Sequence, residues 1–216
     1  MNYGRMLLQL LEGLSYSISI FCWTLFFSLP LGLLVALCRM SKFTVLKQLA
    51  RFCISVLRGT PLMLQLFLVF YGPYYIFKMP LTDTYRFLAV IIGFSVNYAA
   101  YFAEIYRAGI EAIPLGQYEA AQVLGYSRTQ TFFKIIVPQV VKRILPPVTN
   151  EVITLVKDTS LAFTLTIPEM FSVARQWSSA RTTMIPLIAA GVFYYVFNFL
   201  VAMLMERFEK YLNYYR

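Results

Sequence analysis

The sequence predicts an all-α protein that crosses a membrane several times. Of its 216 residues, 59% are hydrophobic and only 13% are charged, and the mean hydropathy is +0.65. A single soluble core of this size could not enclose so much apolar surface. The chain also holds five apolar runs that are each long enough to cross a bilayer, which takes about 20 helical residues. We therefore expect one transmembrane domain, residues 1–216, with five transmembrane helices.

The five predicted spans differ in polarity. A short amphipathic lead, residues 1–13, precedes them and is expected to lie along the membrane surface. Gly59 and Pro61 interrupt the start of the second span, so the irregular backbone there must line a cavity or be buried in protein. The fourth span is the most polar, and a polar connection, residues 168–183, follows it. The predicted spans are residues 14–38, 54–77, 87–110, 144–167 and 184–205.

Basic residues are divided unequally between the two sides of this arrangement. The formal net charge of +9 would suggest nucleic acid in a soluble protein. Here basic cytoplasmic loops account for it, so no nucleic-acid partner is expected, and the positive-inside rule places the N-terminus outside and the C-terminus inside. The side predicted to be cytoplasmic carries Arg39, Lys42, Lys47, Arg51, Arg107, Arg128, Lys134, Lys142, Arg143, Arg207, Lys210 and Arg216. The opposite side carries Arg5, Lys78, Arg86, Arg175 and Arg181.

The sequence gives no sign of a catalytic or metal site. Histidine is absent, the three cysteines lack the spacing of metal ligands, and no nucleophile–base pair is visible. A Walker A pattern is also missing, so the chain should not hydrolyse ATP itself. A channel remains an alternative. So does an ion-coupled transporter, which could use the intramembrane acids Glu104, Glu151 and Asp158.

Residues 112–138 form the most polar helix-favouring interval of the chain. Gly125 can end a first short helix as a left-handed cap. Ser127 can begin a second helix, with Gln130 completing a capping box, and Pro138 is expected to end it. The interval is therefore predicted to form two short helices with a sharp turn at Gly125 between them.

The first of these helices has features of a docking element. Ala120 and Ala121 are small enough to let a partner approach the helix backbone. Glu119 offers a charged hydrogen-bond acceptor near a helix N-terminus. The alternative is an ordinary amphipathic surface helix that ends at a glycine cap.

The same interval resembles the cytoplasmic EAA loop of ABC-importer permeases. That family's pattern is EAA, three residues, glycine, nine residues, and IxLP. The matching positions are Glu119, Ala120, Ala121, Gly125, Ile135 and Pro138. Val137 stands where the family usually has leucine. The resemblance implies the type I ABC-importer permease fold and a loop, at about residues 112–138, that couples to a separate ATPase.

Three further motifs resemble the polar amino-acid permeases, the group for histidine, glutamate, glutamine, arginine and cystine. They are RGTPL at residues 58–62, YFAEIYR at residues 101–107 and KDTSL at residues 157–161. The resemblance extends over residues 58–171 and implies import of an amino acid across a bacterial cytoplasmic membrane. The implied partners are two ATP-binding subunits, a second permease subunit, identical or paralogous, and an extracytoplasmic solute-binding protein or domain. ATP and Mg would be bound by the ATPase, with no cofactor in this chain.

A zwitterionic cargo needs an anion for its ammonium and donors for its carboxylate. Asp158 and Glu104 could supply the anion, whereas Arg58, Thr60 and Ser160 could supply donors. Two further candidates, Asn97 and Tyr101, share one helical face with Glu104.

Each of these candidates also has an alternative role. Asp158 could belong to an intramembrane ion pair, and Glu104 could pair with Arg107 three residues later. Arg58 could extend to the cytoplasmic interface and only orient its helix. Asn97 and Tyr101 could be interhelical hydrogen-bond partners.

Overall fold

The computed structural model describes residues 3–212, and every regular element in that range is helical, which confirms the all-α prediction. Arg216, used in the charge comparison, and the first two residues of the predicted lead lie outside it. The helices are α1 Tyr3–Arg39, α2 Thr44–Gly59, α3 Leu62–Phe77, α4 Asp83–Glu111, α5 Leu115–Val123, α6 Arg128–Thr131, α7 Val137–Asp158, α8 Met170–Arg181 and α9 Ile185–Leu212. A π-helical turn, Phe132–Ile136, joins α6 to α7, and a 3-10 helix, Thr159–Leu165, follows α7.

Several of these helices suit a membrane. Helices α1, α4 and α9 are long and apolar enough to cross it, and the bent pair α2 and α3 would make a fourth crossing. Helix α7 is not among them. It carries Lys142, Arg143, Glu151, Lys157 and Asp158. Repeated membrane crossing is therefore supported, while the number five stays a prediction.

The predicted surface lead is wrong for the residues that the structure describes. Residues 3–13 are the first turns of α1, which runs unbroken for 37 residues, about 55 Å. Met6 and Leu10 are buried in a cluster with Met170 of α8. Gly13 lets the two helices approach, because a Cβ there would lie 2.8 Å from the Cα of Met170. The lead has apolar partners inside the protein, so it does not turn away along the membrane.

Helix α4 is at the centre of the fold, where it packs against α1, α3 and α7. Phe94, Tyr98 and Phe102 follow one another at every fourth position and are almost completely buried. Because residues four apart share a helical face, they form one apolar ridge. This ridge makes α4 the fixed element against which the polar residues of its neighbours are arranged.

The predicted second span is not a single helix. Its expected interruption is present, since Thr60 and Pro61 are extended between α2 and α3, and the chain bends by 110° from one helix to the next. Helix α2 also begins at Thr44, inside the stretch predicted to be a basic loop. We call the junction, residues 57–61, the elbow.

One other predicted boundary is wrong, and one predicted connection is helical. Pro138 does not end a helix, because it is the second residue of α7, which continues the π-helical turn without a break. The predicted connection at residues 168–183 contains α8. Glu169 caps α8 by accepting hydrogen bonds from the backbone N–H groups of Phe171 and Ser172.

Candidate functional site

A cavity of about 390 Å³ lies between the end of α2, the C-terminal half of α4 and the middle of α7. Three of the predicted cargo residues, Arg58, Tyr101 and Glu104, line it. The remaining wall is formed by Ile105, Arg107, Ala108, Gly109, Arg143, Ile144, Pro147 and Glu151. Charged groups of both signs therefore face one space, which is open to the surface.

The charged groups of the cavity differ in how they are already paired. Glu104 accepts two hydrogen bonds from Arg107, at 2.6 and 3.0 Å, and forms an ion pair with Arg39 at 3.5 Å. The alternative of a local pair with Arg107 is thus present in the structure. Arg58 instead lies over the ring of Tyr101, with its Cζ 5.1 Å from the ring centroid. That contact holds the guanidinium but leaves its N–H donors available.

Glu151 of α7 is the second acid of the cavity and is half-buried. Within residues 3–212, its carboxylate has neither a hydrogen bond nor an ion pair. It faces the same space as Arg58. The cavity thus contains a cation and an anion whose hydrogen-bonding groups have no protein partner in the part of the chain that the structure describes.

Asp158 and Ser160 lie outside the cavity wall, at the end of α7. The Tyr98 hydroxyl donates to the Asp158 carboxylate at 2.7 Å, and the Tyr98 and Tyr101 rings are 6.2 Å apart. A continuous set of contacts therefore connects Asp158 to the cavity. The Ser160 hydroxyl donates to the carbonyl of Lys157 at 2.8 Å and so completes local backbone structure.

Thr60 and Asn97 also lie outside the cavity wall, at the elbow. The Thr60 hydroxyl donates to the carbonyl of Val56 at 2.9 Å. Asn97, which is 4% exposed, donates to Gln65 at 3.0 Å. The seven predicted residues are therefore distributed over three neighbouring places: the cavity, the end of α7 and the elbow.

The loop between α4 and α7 folds locally as predicted. Gly125 has φ +79° and follows α5 as its left-handed cap, and Ser127 and Gln130 form the capping box. Glu119 and Ala120 are exposed, whereas Ala121 is only 1% exposed and packs within the chain. The exposed surface is also apolar, with Leu115, Val123 and Leu124 between 74% and 89% exposed.

Sequence reasoning left three functional candidates out of the site. The sequence did contain a sign that Glu151 belongs to the site, because it lies on the same face of its helix as Asp158. The sign for Gln65 was weaker: it is a lone amide in the apolar helix α3. Tyr98 had none, since tyrosine is common in apolar spans and only the fold places its hydroxyl against Asp158.

Known proteins resemble this chain over most of its length. It is 35% identical over 205 residues to the L-cystine transport system permease protein TcyB of Bacillus subtilis, covering 94% of this chain and 86% of that relative. It is also 35% identical over 202 residues to the arginine transport system permease protein ArtQ of the same organism, covering 93% and 91%. Neither relative is named as an ion-coupled transporter, so that alternative finds no support.

Solved structures agree with these relatives. A crystal structure of an amino acid ABC transporter with histidines superposes with a TM-score of 0.87 at 30% identity, over 96% of both chains. The MetNI methionine ABC transporter gives a TM-score of 0.73 at 16% identity, again over 96% of both chains, which shows the shared fold. The family model described as "binding-protein-dependent transport system inner membrane component" matches residues 28–214. The chain therefore belongs to the inner membrane components of binding-protein-dependent transport systems, the permease subunits of ABC transporters.

Proposed function

We propose that this chain is the membrane subunit of an ATP-driven importer whose cargo is a polar or basic amino acid, or cystine. Its relatives named for cystine and arginine and its structural neighbour support this cargo class. As a permease subunit, the chain does not hydrolyse ATP itself. The energy comes from a separate ATPase that binds ATP and Mg.

The observation that best supports this proposal is the pair of opposite charges in the cavity, those of Arg58 and Glu151. The guanidinium of Arg58 is held by Tyr101 and can donate to the cargo carboxylate. Glu151 can accept from the cargo ammonium in the same space. An α-amino acid carries both groups on one carbon, so a site with both signs fits it better than it fits a simple ion.

The two other acids take different parts in this proposal. Glu104 already forms ion pairs with Arg107 and Arg39. We therefore propose that it holds those arginines in place and does not make the first contact with the cargo. Asp158 has only the neutral phenol of Tyr98 as a hydrogen-bond partner in the described chain. Its charge is therefore available along the path beyond the cavity, for the cargo ammonium or a basic cargo side chain.

The loop with Glu119, Ala120 and Gly125 is the proposed contact with the ATPase. Its exposed carboxylate and exposed apolar residues, Val123 among them, offer a mixed surface to a protein partner. This role requires the loop and the C-terminus to be cytoplasmic. The full assembly then contains two ATP-binding subunits, a second permease subunit and an extracytoplasmic binding protein or domain.

Binding to the purified permease–ATPase complex tests the cargo. We expect L-arginine, L-glutamine or L-cystine to raise the thermal stability of the complex in a concentration-dependent way. Arg58→Gln and Glu151→Gln should each remove that stabilisation while the ATPase still copurifies. The proposed site would be contradicted if none of the amino acids stabilised the wild-type complex. It would also be contradicted if they stabilised both variants as much as the wild type.

A further inference from the structure

We propose that Gln65 and Asn97 form an amide clamp that holds the elbow between α2 and α3 and thereby positions Arg58 at the cavity. Neither amide lines the cavity, so both are positioning residues and not cargo ligands. The existence of the clamp depends only on the hydrogen-bond geometry at the elbow. Its effect on transport rests on the cargo role proposed for Arg58.

The clamp is built from four short contacts of two buried side chains with the elbow and one contact between the two side chains. The Gln65 amide nitrogen lies 2.8 Å from the carbonyl of Leu57 and 3.1 and 2.8 Å from the carbonyl and hydroxyl of Thr60. The Asn97 amide nitrogen lies 3.2 Å from the same Leu57 carbonyl and 3.0 Å from the Gln65 side-chain oxygen. Gln65 and Asn97 are 8% and 4% exposed.

The sequence of the elbow explains why a clamp is needed. In an unbroken helix, the Leu57 carbonyl would accept from the backbone N–H of residue 61. That residue is Pro61, which has no N–H. A carbonyl without a hydrogen-bond partner inside a membrane protein is destabilising. The two amides supply the missing donors, so they stabilise the chain in its broken, bent form.

The clamp also fixes the direction of Arg58, which directly follows Leu57. Asn97 and Tyr101 are one turn apart on α4 and share a face. Asn97 holds the carbonyl of Leu57 while the ring of Tyr101 receives the guanidinium of Arg58. One face of the fixed helix α4 therefore sets both the backbone of the elbow and the side chain that it presents.

A distance measurement on the whole complex tests the clamp directly. Spin labels at Gln48→Cys on α2 and Gly72→Cys on α3, with the native cysteines replaced, report the angle between these helices by double electron–electron resonance. Gln48 is exposed and a Cβ at Gly72 meets no atom within 4 Å. We expect Gln65→Leu to broaden or shift the distance distribution. The control Asn198→Leu, which removes an amide from α9, should leave it unchanged.

Uptake of radiolabelled L-arginine, L-glutamine and L-cystine into proteoliposomes tests the consequence. We expect Gln65→Leu to raise the half-saturating concentration of the transported amino acid about tenfold with little change in maximal rate. In an Arg58→Gln background, Gln65→Leu should have no further effect, because the side chain that it positions is absent. A structural defect would instead lower the maximal rate in both backgrounds.

Two results would overturn the proposal: an unchanged spin-label distribution in Gln65→Leu, or effects of Gln65→Leu and Arg58→Gln that add. If Gln65→Leu does not accumulate, Asn97→Leu asks the same question, since leucine is close to asparagine in size and removes both donated hydrogen bonds. If the wild-type complex takes up none of the three amino acids, the proposed cargo is wrong. The distance measurement still decides whether the clamp exists.

Discussion

The hydroxyl of Tyr98 donates to the carboxylate of Asp158 at 2.7 Å and so joins the middle of α4 to the last residue of α7. The sequence suggested a cation or the cargo as the partner of Asp158. Lys157 is a neighbour in the chain but projects about 100° away around the helix. A neutral partner orients the carboxylate without cancelling its charge. Asp158 can therefore still attract a cationic group of the cargo.

We expect Asp158→Asn to abolish amino-acid uptake while the ATPase remains bound and basal ATP hydrolysis stays measurable. The amide keeps the shape of the carboxylate and can still accept from Tyr98, but it has no charge. Uptake into proteoliposomes and hydrolysis by the same preparation measure the two activities. Tyr98→Phe is the matched variant, and uptake should fall on the order of tenfold, because Asp158 keeps its charge and loses one hydrogen bond.

Uptake by Asp158→Asn at the wild-type rate would show that the charge is dispensable. Loss of the ATPase together with poor accumulation would point to a structural role for Asp158 instead.

Gly125→Pro should uncouple ATP hydrolysis from transport. Gly125 adopts φ +79°, which proline cannot reach because its ring fixes φ near −65°. The turn between α5 and α6 should therefore distort, while the membrane helices insert normally. The control is Gly116→Ala, where a Cβ meets no atom within 4 Å. Normal uptake and normal cargo-stimulated hydrolysis in Gly125→Pro would exclude the loop as the coupling element.

A cysteine placed at Gln122 should react with a membrane-impermeant maleimide only from the cytoplasmic side. Gln122 is exposed on α5, so access depends on the orientation of the protein and not on burial. A cysteine at Gln176 of α8 should give the opposite pattern in the same vesicles. External labelling at Gln122 would reverse the proposed orientation and remove the ATPase contact with it.

Thermal stability should fall as the pH rises from 5 to 8, because of Glu169. Burial raises the pKa of this carboxyl to about 7, although hydrogen bonds from Phe171, Ser172 and Tyr194 act in the opposite direction. Between its ordinary pKa and about 7, the folded protein holds this proton more tightly than the unfolded chain does. The stabilisation is complete at low pH and is lost as the pH passes through 7, on the order of 3 kcal/mol in total.

Melting curves of the purified complex at several pH values measure this effect. Glu169→Gln should flatten the pH dependence, since an amide does not titrate in this range. Glu12→Gln replaces an exposed carboxylate of α1 and should follow the wild type. A wild-type midpoint that is constant or rises over this interval would contradict the assignment.

The parts of the fold that depend on neighbouring residues could be predicted from the sequence. The cap at Gly125 and the capping box of Ser127 and Gln130 are set by interactions within a few residues. The break at Gly59 and Pro61 was predictable for the same reason. Its 110° bend was not, because in the proposed clamp the bend depends on Asn97, which reaches the elbow from α4, as well as on Gln65 of α3.

The candidate site likewise combines features set by neighbouring residues with features set by the packing of helices. Arg58, Tyr101 and Glu104 line one cavity because the last two share a face of α4 and the first sits at the recognised break, while their part in cargo binding stays a prediction. The separation of Asp158 from the cavity could not be read from residue types. It depends on how far α7 runs past α4 and on the Tyr98 hydroxyl, which no pattern in the sequence marks.

Pro138 lies inside a helix instead of ending one, so the loop that we propose as the ATPase contact is continuous with a wall of the cavity. Residues 128–158 form an uninterrupted helical rod from α6 through the π-helical turn to the end of α7, about 45 Å long. Such a rod acts as a lever, since a tilt of about 5° at one end moves the other by about 4 Å over that length. Pro146 and Pro147 lie near its middle and lack the N–H groups that stiffen a helix. The lever is therefore softest where Pro147 forms the cavity wall, so force applied at the loop would change the shape of the cavity before it reaches Asp158.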